Sequence, residues 1–516
     1  MEENKKKDWF KLKRYPHIGL PLKKSDRYLW IEKYIKDPEK IANHSFLPFI
    51  HRTARVKKFR KEYSKREGVL NEFTQNDKVV YRKSSEKKRE LFYASHLDSL
   101  VYNYYAKILS EAYEDKIRQS EINIEKVVNA YRSIPVDPSN ENSSNKCNID
   151  FANDVINFIL EYPDDEFAVI DFDISSFFDN LNHAHLRKTW AEVLNTSRLT
   201  PAHFNVFKNI TRFSHVDIVD IFEEFKNKIY TQKINKFGKP LEVKQKEVKK
   251  ICFLRNQNAI AFCTKKEFIK IKQKLLQPSK TKKMPNDQVV ERNFGIPQGS
   301  PISSVLSNIY LLHFDQSINN FISRHGGIYR RYSDDMVIVC PLIHKEEISD
   351  LIYKEITKYN LTVQPNKTHT FIFKRENCKL ICGQEFDEKI NWNKNFIYLG
   401  FEFDGETVLL KSASLSGYYR KMKRYITRAK HFANNKQNKN KGTLFKRRIL
   451  RKYSYKGAKR TRKYLWDQSK KMFVRSEYYN WGNFLSYAKK AAKIMVNNKI
   501  ENQIKRHWNI LNKLLK

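Results

Sequence analysis

The chain has 516 residues, enough for about two to four domains and a sizeable core. Hydrophobic residues make up 40% and aromatics 13%, which excludes a mainly disordered chain, and 99 Lys+Arg against 57 Asp+Glu leave a formal net charge of +42, a field that attracts polyanions. No apolar run reaches the roughly 18 residues of a membrane span, and the opening MEENKKKDWFKLKRYPHIG has lysines but no apolar segment of a secretion signal. The six cysteines lie at 147, 252, 263, 340, 378 and 382. Only Cys378 and Cys382 are close, and no second pair completes a zinc site, so they read as reduced thiols of a cytoplasmic protein.

Residues 1–90 are basic and aromatic, and stretches such as DRYLWIEKYIKDPEKIANH predict a helical extension. Residues 94–117 have apolar positions at helical spacing and predict a long buried helix. VDPSNENSSNKCN is a loop by composition, and FANDVINFILEY a further helix. FAVIDFDISSFF then reads as a buried strand running into a turn. Residues 200–225 look helical and acidic, and 226–292 read as a Lys-rich, poorly periodic insertion with strand-like pieces such as NAIAFC. Residues 300–322 predict one amphipathic helix opened by Pro301 after a Gly-Ser turn. IYRRYSDDMVIVC predicts a hairpin with adjacent aspartates at its tip. A helix over EEISDLIYKEITKYN follows, then strands in LTVQPNKTHTFIF, NFIYLGFEFDG and TVLLK. From Lys411 the pattern is helical, basic and Tyr-rich. An α+β class follows for residues 91–410: an antiparallel palm sheet backed by helices, with a basic all-α domain over 411–516.

The chemistry concentrates on carboxylates. Asp334 and Asp335 are neighbours in a tight turn, where like charges repel and desolvation is costly without a cation. Taken alone, that stretch fits a solvated turn or a metal site. Asp173 ends an apolar strand, and beside such a hairpin it would complete an oxygen-rich nest for two Mg²⁺ ions shared with phosphate oxygens. NFGIPQGSPIS, with Gly295, Pro297 and Gly299, gives a tight backbone path before a helix, suited to lying against a base pair or sugar. Lys367 in QPNKT is a candidate proton donor to a pyrophosphate leaving group.

In this order, D-I-S-S-F-F-D, G-I-P-Q-G-S-P-I-S, Y-S-D-D, N-K-T and Y-L-G resemble motifs A to E of reverse transcriptases, over roughly residues 165–405. The resemblance implies right-hand palm and fingers and RNA-templated synthesis of cDNA from dNTPs. Asp173, Asp334 and Asp335 would hold the metals, with Ile174 contributing its backbone. Asp171 is the competing residue of the first motif. Asp173 is preferred because an aromatic stands five residues on, at Phe178, where the family places its sugar gate. Gln298 and Gly299 would contact the incoming nucleotide. RYPHIG, HSFLPFIH, DSLVYNYYAKILSEAYE and NAYRSIP look like the N-terminal half of the bacterial "unknown group" reverse transcriptases, which include defence-associated enzymes acting against phage. There Arg132, with Lys146 behind it, would bind the triphosphate.

Residues 411–516 hold 31 basic residues, 3 acidic residues and nine tyrosines. Basic patches interleaved with aromatics suit phosphate tracking and base stacking. The resemblance implies a structured noncoding RNA as template and scaffold, which could bridge subunits of a homo-oligomer. Synthesis starting on a protein hydroxyl is one route open to the clade, with Tyr418, Tyr419, Tyr453, Tyr455, Tyr478, Tyr479 and Tyr487 as candidates. The rival expectations are a retron- or group II intron-type enzyme, an RNA-templated RNA polymerase, and an RNA-binding scaffold with a vestigial centre.

Overall fold

The computed structural model describes residues 8–63, 80–140, 143–235, 240–277, 281–283, 289–386, 389–435, 441–455, 462–467, 472–479 and 482–516. The chain forms two compact units that alternate along the sequence. One comprises Met1–Glu125, Ile174–Gln316 and Lys354–Thr362; the other comprises Lys126–Asp173, Ser317–Tyr353 and Val363–Lys516.

In the first unit, short helices cover Arg27–Ile31, Glu32–Lys36 and Pro38–Ala42. Asp37 opens the last, accepting from the backbone N–H groups of Glu39 and Lys40. The helical expectation for residues 1–90 stops there. Phe49–Tyr63 and Val80–Tyr93 pair as a long antiparallel hairpin, whose base adds the parallel strand His215–Asp217. The long helix His96–Arg118 follows as expected, capped by Ser95. The Lys-rich stretch 226–292 is built into this unit. Ile229, Val248, Leu254, Ala259, Phe262, Cys263, Phe268 and Leu275 share one buried cluster with Ile18, Ile50, Val216 and Phe222. Its apolar residues are scattered among lysines that face solvent, so no clean period shows in the sequence. The expected helix over 300–322 is divided at Leu311 into Ser303–Tyr310 and Leu312–Arg324.

The second unit is built on a six-stranded sheet, antiparallel at every pairing, in the order Ile328–Tyr332, Asp335–Pro341, Glu166–Asp173, His369–Glu376, Lys379–Phe386, Lys389–Asn391. Glu166–Asp173 is central and apolar on both faces, as Phe167, Ala168, Val169, Ile170 and Phe172 are all fully buried. Phe167 and Val169 join Val337, Val339, Phe371 and Phe373 in a core that the helix Asn148–Leu160 covers. The same core takes in Tyr418, Leu485, Ala488, Ala491, Met495, Ile500 and Ile504. Leu410 donates its N–H to Gln503 Oε1 at 2.8 Å, and Val408 to the Asn497 carbonyl at 3.0 Å. Residues 411–516 are therefore part of the body that carries the sheet. Their helices are Ser412–Asn434, Lys446–Tyr453, Phe484–Ile494, Ile500–Ile504 and His507–Leu515, with one two-stranded ribbon, Arg462–Asp467 against Met472–Tyr479, among them. No helix among the described residues is long and apolar enough to cross a membrane.

Candidate active site

Side chains alternate along a strand, so Phe167, Val169, Asp171 and Asp173 share one face of the central strand. That face is apolar at its start and acidic at its end. Asp335 lies directly opposite Asp173 in the ladder, and Val337 opposite Asp171. The expected hairpin forms with Tyr332 facing Asp335, which leaves Ser333 and Asp334 as a two-residue turn. Ser333 takes a φ of 64°, as such turns require. The tip is braced: Ser333 and Tyr131 share a hydroxyl hydrogen bond at 3.2 Å, and the fully buried Arg331 donates to the Ser333 carbonyl at 3.1 Å. Asp173, Asp334 and Asp335 thus come together within one unit. Ile174 follows Asp173 in the chain.

The electrostatics of this cluster call for a cation. Burial pushes the Asp335 carboxyl up to about 6, with the Asp334 and Asp173 charges adding and Lys367 and Lys411 opposing. Burial likewise holds the Asp171 carboxyl well above the usual carboxylate range, helped by Asp335 and Asp173. The short turn Pro365–Lys367 is anchored where Gln364 donates its N–H to the Asp173 carbonyl at 2.9 Å, and it brings the Lys367 ammonium onto Asp173 Oδ2. Oxygen ligands crowded until one resists ionisation are what a Mg²⁺ site offers, so Asp173, Asp334 and Asp335 fit the ion.

Two features here escaped the sequence. Tyr398, in the Y-L-G segment, is buried, and its hydroxyl has no hydrogen-bond partner among the described residues. Burial and the Asp171 and Asp335 charges raise its ionisation far above the ordinary phenol, so it stays a neutral donor. Lys411 acts on Asp171, Asp335 and His369 alike. Neither residue sits in a charged run that would mark it. Separately, His325, His344 and Glu347 form a cluster able to hold a metal ion.

The other unit holds Phe178, Gln298 and Gly299. Gly295 has a φ of 87°, and a Cβ there would lie 2.7 Å from the Asp179 carbonyl oxygen. Only glycine lets the loop close on the turn after the first motif. Ile296 donates to the Phe178 carbonyl at 2.9 Å, which couples the loop to the half-buried Phe178. Gln298 accepts from the Phe92 N–H at 2.8 Å. Gly299, at a φ of 113°, lies so near the Phe92 carbonyl that a Cβ would meet it at 2.8 Å.

The remaining candidates are more dispersed. Arg132 donates to the Val128 carbonyl at 2.7 Å, next to Tyr131 and the hairpin tip. Lys146 pairs with Asp154 at 2.7 Å. Tyr418 and Tyr453 donate their hydroxyls to the Tyr453 and Lys421 carbonyls, both at 3.3 Å, so their bonds are structural. Tyr419 packs beside His507, and Tyr455 packs against Trp508 under the Lys489 ammonium. The side chains of Tyr478 and Tyr479 lie outside the described residues. Tyr487 accepts from Asn148 at 2.8 Å. Burial raises its hydroxyl to about 12, and the Tyr332 of Y-S-D-D contributes to that shift.

A carboxyl whose pKa is raised by folding adds stability below its unfolded value, near 4, and loses it as pH rises through the folded value, near 6. In divalent-free buffer, wild-type stability should fall from pH 4 to 6.5 through this group, and Asp335→Asn should remove that fall. Above pH 7 the variant should exceed wild type by on the order of 2 kcal/mol in urea unfolding. Equal stability at both ends of the range would show that the cluster is not under this strain.

A model of the family "Reverse transcriptase (RNA-dependent DNA polymerase)" matches residues 211–403. The stretch includes Gln298, Gly299, Asp334, Asp335 and Lys367, and begins after Asp173 and Phe178. No curated protein matches the chain. Among solved structures it is similar to apo telomerase from Candida tropicalis, at 11% identity over 96% of this chain and 66% of that one, with a TM-score of 0.34. Telomerase from Candida albicans with a TWJ fragment of telomeric RNA is similar at 12% identity over 95% and 64%, with a TM-score of 0.32. The chain spans less than two thirds of these proteins, and likenesses so distant carry no weight for its function. The family match and the assembled motifs together mean that the chain carries a reverse-transcriptase-like domain.

Proposed function

We propose that the chain is an RNA-templated DNA polymerase that extends a 3′ end, or a protein hydroxyl, with dNTPs. The observation that carries the reading is Asp335 opposite Asp173 in the ladder, with Asp334 beside it at the hairpin tip. Mg²⁺ ions held by Asp173, Asp334, Asp335 and the Ile174 carbonyl would activate the attacking hydroxyl and neutralise the departing pyrophosphate. Lys367, already paired with Asp173, is suited to giving a proton to that leaving group. Phe178 would exclude a 2′-hydroxyl, Gln298 and Gly299 would line the base and sugar, and Arg132 and Lys146 would take the triphosphate. Exchange of Lys146 from Asp154 to phosphate is part of this reading.

The finer setting rests on the motif resemblance and on charge. A bacterial antiphage role, with a structured noncoding RNA as template, fits the RYPHIG and NAYRSIP segments and the +28 carried by residues 411–516. Those residues share the sheet's core, so their deletion would unfold the enzyme rather than free its RNA. Arg420, Arg424 and Arg428 instead form an exposed stripe along one helix face. For protein priming, Tyr487 is our candidate, because the Tyr332 of Y-S-D-D is among the groups that act on its hydroxyl.

Purified protein given Mg²⁺ and labelled dNTPs should incorporate label, and Asp334→Ala/Asp335→Ala should lose it by about a thousandfold or more. Incorporation retained in that variant would sink the assignment. Phe178→Ala should raise rNTP use relative to dNTP by about tenfold or more, and an unchanged sugar preference would refute the gate. Label that remains on protein after RNase treatment, and disappears in Tyr487→Phe, would identify the primer. Arg420→Glu/Arg424→Glu/Arg428→Glu should release co-purifying RNA and flatten the salt dependence of RNA binding by about three ion pairs. RNA retained at the same salt would exclude that helix face from binding.

A further inference from the structure

The strand Asp335–Pro341 carries the carboxylates at one end and leads at the other into a chemically different cluster, about 20 Å along the sheet. His325 follows the helix Leu312–Arg324, His344 closes the short turn Leu342–His344, and Glu347 lies in the first turn of the helix Lys345–Thr357. One ligand atom from each lies within 4.8 Å of the others. The two imidazoles meet edge to face, with centroids 4.3 Å apart.

Three details point to a metal rather than to an ion pair. His344 Nδ1 and Glu347 Oε2 are 3.3 Å apart, long for a charge-assisted hydrogen bond. That spacing matches the edge of a zinc tetrahedron, which bonds of about 2.0–2.1 Å set at roughly 3.3–3.4 Å. His325 Nδ1 lies 2.9 Å from the Phe321 carbonyl oxygen. A carbonyl only accepts, so Nδ1 carries the proton and Nε2 is the lone-pair nitrogen, the arrangement that orients ligating histidines. Both histidines are half-buried and Glu347 is exposed, so an ion can enter from solvent and keep water in its fourth position.

We propose that His325, His344 and Glu347 bind a Zn²⁺ ion that staples the base of the hairpin whose tip carries Asp334 and Asp335. Two imidazoles with one carboxylate select Zn²⁺ over Mg²⁺. The histidines flank the hairpin: Ile328–Tyr332 begins three residues after His325, and Asp335–Pro341 ends three residues before His344. At this base the strands already approach closely, since a Cβ on Gly327 would lie 2.4 Å from the Val339 carbonyl oxygen. A metal cross-link here opposes slippage of the strand pair. A slip by one residue would carry Asp335 to the opposite face of the sheet.

The test uses full-length protein bearing Asp334→Asn/Asp335→Asn to silence the carboxylate cluster, stripped with chelator and titrated with Zn²⁺ against a chromogenic chelator, and separately with Co²⁺. One Zn²⁺ per chain should bind at micromolar affinity or tighter. Binding should weaken about tenfold or more in Glu347→Gln, an exposed change that spares the fold, and vanish in His344→Ala. Co²⁺ should give the visible absorption of a four-coordinate site in the parent and not in His344→Ala. The thermal midpoint of the stripped parent should rise with Zn²⁺, and that of His344→Ala should not. No Zn²⁺ uptake by the parent, or equal stoichiometry and affinity in all three proteins, would overturn the proposal.

Discussion

The candidate centre depends on one unfavourable contact: two carboxylates, Asp173 and Asp335, facing each other across an antiparallel ladder. Cross-strand neighbours sit with Cβ atoms about 4.5–5.5 Å apart, and like charges there oppose pairing by roughly 0.2–1 kcal/mol, more once water is withdrawn. The register survives because apolar burial outweighs it. Phe167, Val169, Val337, Val339, Phe371 and Phe373 are nearly or fully buried, and each such side chain contributes about 1.5–3 kcal/mol. A slip that separated the acids would expose this whole set. The sheet therefore holds the charges together for whatever cation neutralises them, and among the described residues Lys367 already pairs with Asp173.

That core is completed by residues far along the chain. Leu485, Ala488 and Met495 lie in the same cluster as Phe167 and Val169, and Leu410 and Gln503 bond in both directions between backbone and amide. The most basic segment of the protein is thus continuous with the scaffold of its carboxylates. A polyanion bound to the exposed face of Ser412–Asn434 would pull on a helix whose Tyr418 is packed into the sheet's own core.

The central strand, the hairpin and the acidic cluster were legible because each has a strong local signature. FAVIDFD is a β-prone apolar run, and Y-S-D-D sits between two more. The long hairpin after His44 was not. Its strands are rich in Lys and Arg, which carry little β preference, and long-range pairing decides its form. Within the Lys-rich stretch after Phe225, NAIAFC was legible and forms the strand Ala259–Cys263, whereas core residues such as Val248 and Phe268 were hidden among solvent-facing lysines. Asp171 was visible but its role was not. Its elevated carboxyl depends on burial and on Asp335, which lies 164 positions away in sequence. Tyr398 and Lys411 likewise reach the centre only through tertiary packing.

The Asp335–Pro341 strand has carboxylates at one end and two imidazoles with a carboxylate near the other, and this chemical asymmetry bears on metal selection. Divalent ions bind a mixed site in the Irving–Williams order, so a chain that needs a weakly held Mg²⁺ is vulnerable to capture by Zn²⁺. Lys367, Lys411 and Tyr398 act on or are acted on by the Asp335 carboxylate, and none of the three offers a metal an imidazole or thiolate. His369 faces Asp171 in the ladder, but its Nδ1 is held by Gln384 at 3.0 Å, and Lys411 disfavours further positive charge there. Two imidazoles of the cluster able to hold a metal ion, His325 and His344, stand at the far end of the strand. Separating hard from softer ligands along one rigid element would let the tip remain selective for Mg²⁺ while the base holds a tighter ion, with the strand keeping the two apart.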